Sequence, residues 1–294
     1  MAETARADVA LAARGLARSR TEGAALIRAG QVLLDGRPVR RPSDRVAADA
    51  TLRLRDPGPR YVSRAAHKLV SALEAFPDVA VAGRRALDAG ASTGGFTQVL
   101  LERGAERVAA VDVGHDQLAP PVRADPRVLV REGLNVRDLR AEDIDGPVDL
   151  VVSDLSFISL RLVLAPLAGV CRPGAELLLM VKPQFEVGKQ ALPRTGVVTD
   201  PAARIRAVEG VVETAAEQGL ELAAIGPSAL PGQDGNREYF VHLRPSRSIR
   251  PHAAGATAPG SACTPDAQAY DMIGSAVGGA LPRRRRDQNA PEED

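Results

Sequence analysis

The sequence predicts a protein of the α/β class with two domains, the larger of which holds a mainly parallel sheet. The first observation is an alternation of short apolar runs with helical stretches over residues 84–245. Such alternation is typical of parallel strands with helices on both faces. The second observation is a separate, arginine-rich unit over residues 1–57. The strands predicted for the large domain are Arg85–Asp88, Arg107–Asp112, Val128–Arg131, Leu150–Ser153, Leu177–Lys182, Leu222–Ile225 and Tyr239–Leu243.

The small unit is predicted to be α+β. A hydroxyl at Ser19 or Thr21 can cap a helix, and a glycine such as Gly30 commonly ends one. The dipeptide Asp35-Gly36 is a strong signal for a hairpin turn. The predicted elements are helices Glu3–Arg14 and Ser19–Gly30 and strands Gln31–Leu34 and Thr51–Arg55.

Composition sets the remaining boundaries. A Pro-Gly-rich stretch at Asp56–Pro59 is typical of a linker. We therefore predict a linker over 58–64 and a second domain over 65–245. Beyond Pro245 the chain is rich in Pro, Gly, Ala and Ser, which bury little apolar surface. Residues 246–294 are accordingly predicted to be a disordered tail.

The overall composition excludes several classes of protein. With 45% hydrophobic and 26% charged residues, the chain resembles an ordinary soluble globular protein. No apolar run reaches the length that crosses a bilayer, and the first residues lack the core of a signal peptide. Cys171 and Cys263 lie far apart without metal-ligand spacing. We therefore expect no membrane span, no metal site and a reducing, cytoplasmic location.

The first segment carries a local excess of positive charge. Residues 1–60 hold twelve Arg against seven Asp and Glu, whereas the whole chain has a net charge of only +1. The stretches RGLARSR from Arg14 and VLLDG from Val32 resemble the S4 domain, an RNA-binding domain named after a ribosomal protein. That resemblance implies that basic side chains here contact structured RNA; a merely solvated arginine-rich face is the alternative. The candidate RNA-binding residues are Arg18, Arg20, Arg28, Arg37 and Arg40.

The first strand of the large domain ends in a glycine-rich turn, LDAGASTGGF, from Leu87. Glycines at such a turn let the backbone approach a ligand closely. The spacing differs from the dinucleotide pattern and is typical of Rossmann-like enzymes that bind S-adenosylmethionine. An acid at the end of the next strand, Asp112, can accept both ribose hydroxyls of that cofactor, and Asn135 can help hold the adenine end. The candidate cofactor-binding residues are Asp88, Gly90, Ser92, Gly94, Gly95, Phe96, Asp112 and Asn135.

Charged residues at strand ends suggest a catalytic centre. Asp154 and Lys182 each follow an apolar strand, so both belong to the carboxyl edge of the sheet, where open α/β folds bind ligands. Glu238 starts a late strand, and Lys68 precedes the first one. Only three of the 38 basic residues are lysines. Lysine can lose its proton in a protein and arginine cannot.

The order Lys68, Asp154, Lys182, Glu238 resembles the tetrad of the FtsJ-like ribose 2′-O-methyltransferases. The match is closer to the TlyA family, which joins an S4 domain to that catalytic domain. The segments that carry the resemblance are SRAAHKL, LDAGASTGGFT, AVDVG, DLVVSDLSFISL, VKPQFEVGK and GNREYF. The resemblance implies methylation of cytidine 2′-hydroxyls in 16S or 23S ribosomal RNA, with Lys182 as the general base and Asp154 positioning it.

Other functions are considered beside this one. Lys182 could mainly orient the hydroxyl instead of accepting its proton. The chain could be a non-catalytic RNA-binding or ribosome-assembly factor, although its intact tetrad argues against this. It could be a membrane-active haemolysin, a label that also attaches to the family, or it could methylate a small molecule. The last alternative leaves the arginine-rich domain without a role.

Overall fold

The computed structural model describes residues 4–54, 60–188, 190–246 and 265–277, together with the backbone of residues 283 and 284. The chain divides between Tyr61 and Val62 into two units. The division falls inside the predicted linker 58–64, whose first two residues lie outside the described part of the chain.

The described residues of the first unit form two helices and two small antiparallel sheets. Ser19 caps the second helix by accepting a hydrogen bond from Glu22 N. Asp35 and Gly36 both have positive φ, as the predicted hairpin turn requires. The elements are β1 Thr4–Arg6, α1 Ala7–Ala13, α2 Arg20–Arg28, β2 Val32–Leu34, β3 Arg37–Pro38, β4 Arg45–Ala47 and β5 Leu52–Leu54.

The predicted start of the first helix at Glu3 is wrong. Residues Thr4–Arg6 are extended and pair antiparallel with Arg45–Ala47, a strand that was not predicted. Backbone groups that hydrogen-bond to a neighbouring strand cannot also make helical hydrogen bonds. The helix therefore begins only at Ala7.

In the second unit, the part of the chain that the structure describes forms one eight-stranded sheet with the strand order β13-β11-β12-β10-β9-β6-β7-β8. The strands from β8 to β10 are mutually parallel, and β12, β11 and β13 continue the sheet antiparallel. The elements are α3 Ala65–Ala75, β6 Arg85–Ala89, α4 Gly95–Glu102, β7 Arg107–Asp112, α5 Pro120–Arg123, β8 Val128–Glu132, β9 Val148–Ser153, α6 Leu164–Gly169, β10 Cys171–Val181, α7 Pro183–Glu186, α8 Pro201–Glu217, β11 Leu220–Pro227, β12 Tyr239–Pro245, α9 Ala267–Val277 and β13 Arg283–Arg284.

The sheet follows the apolar runs of the sequence. Residues Leu177–Val181 in β10 are almost wholly buried, as expected for a central strand covered on both faces. The predicted mainly parallel α/β architecture is thereby confirmed. None of the described helices combines the length and the apolar character needed to cross a bilayer.

The predicted disordered tail 246–294 must be corrected at α9. Met272, Ile273 and Val277 are buried in the main hydrophobic core, and the helix packs against β11 and α8. Its apolar residues recur at helical spacing, so the helix can bury one face. The average composition of the surrounding stretch hid that pattern. Beyond Ser246, the predicted tail is described only at residues 265–277 and in the backbone of β13.

Candidate active site

The four predicted catalytic residues meet at one edge of the large sheet. Asp154 follows β9 and Lys182 follows the adjacent parallel strand β10, so both lie at carboxyl ends. Glu238 directly precedes β12, which is antiparallel to β10 and therefore begins at the same edge. Lys68 is contributed by α3. The topology thus explains why residues so distant in sequence become neighbours.

The four side chains form a linear array of alternating charge, here called the tetrad. Lys182 Nζ lies 2.7 Å from Asp154 Oδ1, Lys68 Nζ lies 3.7 Å from Asp154 Oδ2, and Lys68 Nζ donates to Glu238 Oε2 at 2.6 Å. Lys68, Lys182 and Glu238 are all buried. Buried charges need close opposite partners, because desolvation otherwise destabilises them. Each member of the tetrad has such a partner.

The contact between Lys182 and Asp154 is an ion pair and not a hydrogen bond. Although the two atoms are 2.7 Å apart, Asp154 Oδ1 receives no hydrogen bond among the described residues. The interaction is nevertheless favourable, because Coulomb attraction depends on distance and needs no particular direction.

Sequence reasoning missed two polar contacts of the tetrad. Lys182 Nζ donates to Ser156 Oγ at 2.7 Å, and Gln184 Nε2 donates to Glu238 Oε1 at 3.4 Å. Each partner stands two residues after a predicted catalytic residue, Asp154 or Lys182. That spacing was the only signal in the sequence, and it is too common to single these residues out.

Two cavities adjoin the tetrad. The larger, about 520 Å³, and the smaller, about 220 Å³, share Gly90, Ser92, Asp154 and Ser156 among their lining residues. Of the predicted cofactor-binding residues, Asp112 and Asn135 line the larger cavity. Gly95 and Phe96 line the smaller one, together with Lys182.

The glycine-rich turn between β6 and α4 is held by Asp112. Its two carboxylate oxygens accept hydrogen bonds from Ser92 N at 2.8 Å and Gly114 N at 2.7 Å. Gly90 has a φ of +87°, and a Cβ there would lie 3.0 Å from the Leu155 side chain. Glycine is therefore required at this position both by its conformation and by the space available.

Two predicted cofactor-binding residues are not among those that line the cavities. Asp88 is fully buried, accepts a hydrogen bond from Thr97 Oγ1 at 2.6 Å, and has its pKa raised to about 7 by burial. Gly94 faces Leu118 and Val122 of the protein interior. The physical reason is the strand alternation: Asp88 points into the core beneath the turn and not toward its open side.

Two further candidates have a structural role that the sequence did not predict. Phe96 is 3% exposed and stacks on Phe240, with 6.2 Å between ring centroids. Asn135 caps the 3₁₀ turn Val136–Asp138 by accepting a hydrogen bond from Arg137 N. Each residue therefore borders a cavity while also stabilising its wall.

Phe157 is an exposed aromatic residue at the larger cavity that sequence reasoning missed. Its side chain is 91% exposed, and its ring lies 5.4 Å from that of Phe185. Its φ of +64° places it in the left-handed region, which costs a bulky residue about 1–3 kcal/mol.

The five predicted RNA-binding arginines are all exposed, but they differ in their partners. Arg18 pairs with Glu22 at 2.8 Å and Arg20 with Asp8 at 3.1 Å. Arg28, Arg37 and Arg40 form no ion pair within the part of the chain that the structure describes. These three side chains can neutralise an external anion without first giving up a carboxylate.

A glycine turn beside a cavity, together with two buried lysines at the carboxyl edge of the sheet, is expected of an α/β methyltransferase. Comparison with known families supports this class. The model of the FtsJ-like methyltransferase family matches residues 61–245, and that of the S4 domain matches residues 5–52. The chain belongs to the FtsJ-like methyltransferase family and, within it, to the TlyA proteins.

The matches to individual relatives cover nearly the whole length of those relatives. The Mycobacterium tuberculosis protein named 16S/23S rRNA (cytidine-2′-O)-methyltransferase TlyA is 54% identical over 245 residues, which cover 83% of this chain and 91% of the relative. Hemolysin A of Brachyspira hyodysenteriae is 32% identical and is covered to 99%. A solved structure from Streptococcus thermophilus, provisionally described as a hemolysin, shares 31% identity with a TM-score of 0.66 over 95% of this chain and 96% of its own.

Proposed function

We propose that this protein transfers a methyl group from S-adenosylmethionine to the 2′-hydroxyl of cytidine in 16S and 23S ribosomal RNA. The observation that carries the proposal is the tetrad, whose Lys182 borders the smaller cavity. The name of the Mycobacterium tuberculosis relative supports the substrate. The proposed partners are ribosomal subunits, and the proposed location is the cytoplasm, where ribosomes lie.

The larger cavity fits S-adenosylmethionine in volume and in chemistry. Its volume of about 520 Å³ is within the range of small-molecule sites. Asp112 would accept the ribose hydroxyls, and the apolar side chains of Val113 and Leu134 would border the adenine. When bound, this cofactor supplies an electrophilic methyl group on a positively charged sulfur.

The residues of the tetrad would prepare the ribose hydroxyl. A hydroxyl is a weak nucleophile and must lose its proton as its oxygen attacks. Lys182 Nζ is held 2.7 Å from both Asp154 Oδ1 and Ser156 Oγ, next to the smaller cavity. We assign the acceptance of the proton to Lys182 in its neutral amine form and the positioning of that amine to Asp154. The ammonium form that pairs with Asp154 must first release a proton to solvent. Lys68, paired with Glu238, holds the other oxygen of Asp154.

The test is methyl transfer from labelled S-adenosylmethionine to undermethylated 30S and 50S subunits. Wild-type protein is expected to make the modified ribose resistant to alkaline cleavage, because methylation removes the attacking 2′-hydroxyl. If wild-type protein binds cofactor and RNA but transfers no methyl group, the chain is an RNA-binding factor and not an enzyme.

Substitution of Lys182 tests its assigned role. Arginine keeps the positive charge but cannot release its proton, so Lys182→Arg is expected to lower the transfer rate at least ~100-fold. Lys182→Ala should be equally impaired. Cofactor and RNA binding, measured separately by calorimetry and filter binding, serve as the control. An active Lys182→Arg protein would contradict proton acceptance and favour an orienting role.

A further inference from the structure

The loop between β9 and the 3₁₀ turn Leu160–Leu162 carries two groups of the active site, Asp154 and Ser156. Phe157, in the middle of this loop, has a φ of +64° and a side chain that is 91% exposed. A strained conformation persists only where surrounding contacts hold it. The Phe157 ring contacts that of Phe185, with 5.4 Å between centroids, but is otherwise exposed, so hydrogen bonds at the end of the loop add to the support of this conformation.

Glu186 holds the end of this loop. Its Oε2 accepts a hydrogen bond from Ser159 Oγ at 2.5 Å, and its Oε1 accepts one from Leu160 N at 2.7 Å. Arg161 Nε lies 3.5 Å from the same carboxylate. The group is only 6% exposed, and burial raises its pKa. Glu186 does not line either cavity, so any effect on catalysis must pass through the residues that it holds.

Glu186 also belongs to the segment that begins at Lys182. It is the last residue of α7, the short helix that directly follows the lysine. Its carboxylate therefore links two segments: the one that begins with Lys182, and the loop whose Asp154 and Ser156 contact that lysine. Both of these contacts measure 2.7 Å.

We infer that Glu186 is a positioning residue that fixes the loop of Asp154 and Ser156 against the segment of Lys182. The inference rests on the proposed function, because it assigns to Glu186 an effect on the methyl-transfer step. A carboxylate suits this role because it offers two acceptor oxygens on one planar group. An amide of the same size offers only one acceptor and would turn its donor either toward Leu160 N, which cannot accept, or toward Ser159 Oγ, which already accepts a hydrogen bond from Arg161 N.

Glu186→Gln is therefore expected to lower the transfer rate at saturating cofactor and RNA at least ~10-fold. The reason is that the loop loses one of its two hydrogen bonds to this side chain, from Ser159 Oγ or from Leu160 N. Amide hydrogen exchange in residues 154–160 should become at least ~10-fold faster, while the rest of the sheet is unchanged. This second measurement requires neither cofactor nor RNA. It reports directly whether the loop has been released.

Glu176→Gln is the matched control. Glu176 lies on β10, far from the site, and is likewise bound by two side chains, Arg84 at 2.6 Å and His242 at 3.2 Å. Its substitution should lower thermal stability but leave the saturated transfer rate within ~2-fold of wild type. If Glu186→Gln does not fold, Ser159→Ala, which removes one hydrogen bond to the same carboxylate, takes its place with an expected loss of ~3-fold.

The outcomes separate the inference from the proposed function. A Glu186→Gln or Ser159→Ala protein that transfers methyl groups as fast as wild type overturns the inference alone. So does an equal loss of rate in Glu176→Gln, which would indicate a general effect of stability. Wild-type protein that transfers no methyl group to either subunit overturns the proposed function and the inference with it.

Discussion

At the scale of single residues, Asp88 shows how the environment of a side chain decides its role. Its place at the strand end predicts a cofactor contact, but the structure encloses it and joins it to Thr97. Asp88 Oδ1 receives no hydrogen bond among the described residues. An enclosed carboxyl with an unmet acceptor is destabilised when ionised.

The raised pKa of Asp88, about 7, predicts a pH dependence of stability. The folded state holds the proton more tightly than the unfolded state does. The tighter proton binding contributes to the free energy of unfolding. This contribution is fully present below the ordinary carboxyl pKa and is lost as pH rises through about 7. The side chain at position 88 of the variant Asp88→Asn cannot ionise, so the melting temperature of the variant relative to that of wild type should be higher at about pH 8 than at about pH 5. An equal difference at both pH values, measured by calorimetry without cofactor, would contradict this.

The four tetrad residues could be predicted from sequence, and their polar partners could not. Asp154 and Lys182 stand at the ends of long apolar runs, which mark the carboxyl edge of a sheet by themselves. Ser156 and Gln184 depend on how a loop turns after the strand. The positive φ of Phe157 depends on contacts made by residues further along the chain. Neither the course of the loop nor this φ angle can be read from the local sequence pattern.

At the scale of elements, the strands of the large sheet were predictable and the weakly patterned elements were not. A buried parallel strand needs an unbroken apolar run, and that run is visible in sequence. Strands β1 and β4 are three residues long each and are stabilised by pairing with one another, not by their own sequence pattern. Helix α9 is short and stands in a stretch whose average composition suggests disorder.

The packing of α9 can be tested with one core and one surface substitution. Ile273 is fully buried, so Ile273→Ala is expected to lower the free energy of unfolding by about 2–4 kcal/mol. Asp271 on the same helix is exposed, and Asp271→Ala should change it by less than about 0.5 kcal/mol. Urea unfolding of both proteins gives the comparison. Equal stability of the two would mean that α9 does not pack on the sheet in solution.

At the scale of the whole molecule, the distribution of charge matters more than its sum. The chain has a net charge of +1, but its arginines are in excess over acids in residues 1–60. Arg28, Arg37 and Arg40 are exposed and have no ion pair among the described residues. An RNA-binding surface built from such side chains releases counterions when it binds.

We therefore expect RNA affinity to fall steeply with salt. Replacing Arg28, Arg37 and Arg40 together by alanine should weaken binding and make the slope of log affinity against log salt shallower by about one for each phosphate that is no longer neutralised. Arg103, Arg107 and Arg172 are exposed near the amino edge of the large sheet. Each of them is paired with a carboxylate, and their replacement by alanine removes the same formal charge and serves as the control. The same slope in both triple variants would place the RNA-binding surface elsewhere.

The scarcity of lysine gives the molecule an uncommon chemical property. Lys68 and Lys182 are two of the three lysines in 294 residues, and both belong to the tetrad. Reagents that acylate amines usually scatter over a protein surface. Here the lysine amines that they can meet are Lys189 and the two of the tetrad, beside the amino terminus. Counting acylated amines by mass spectrometry thus becomes a direct measure of how accessible the tetrad is.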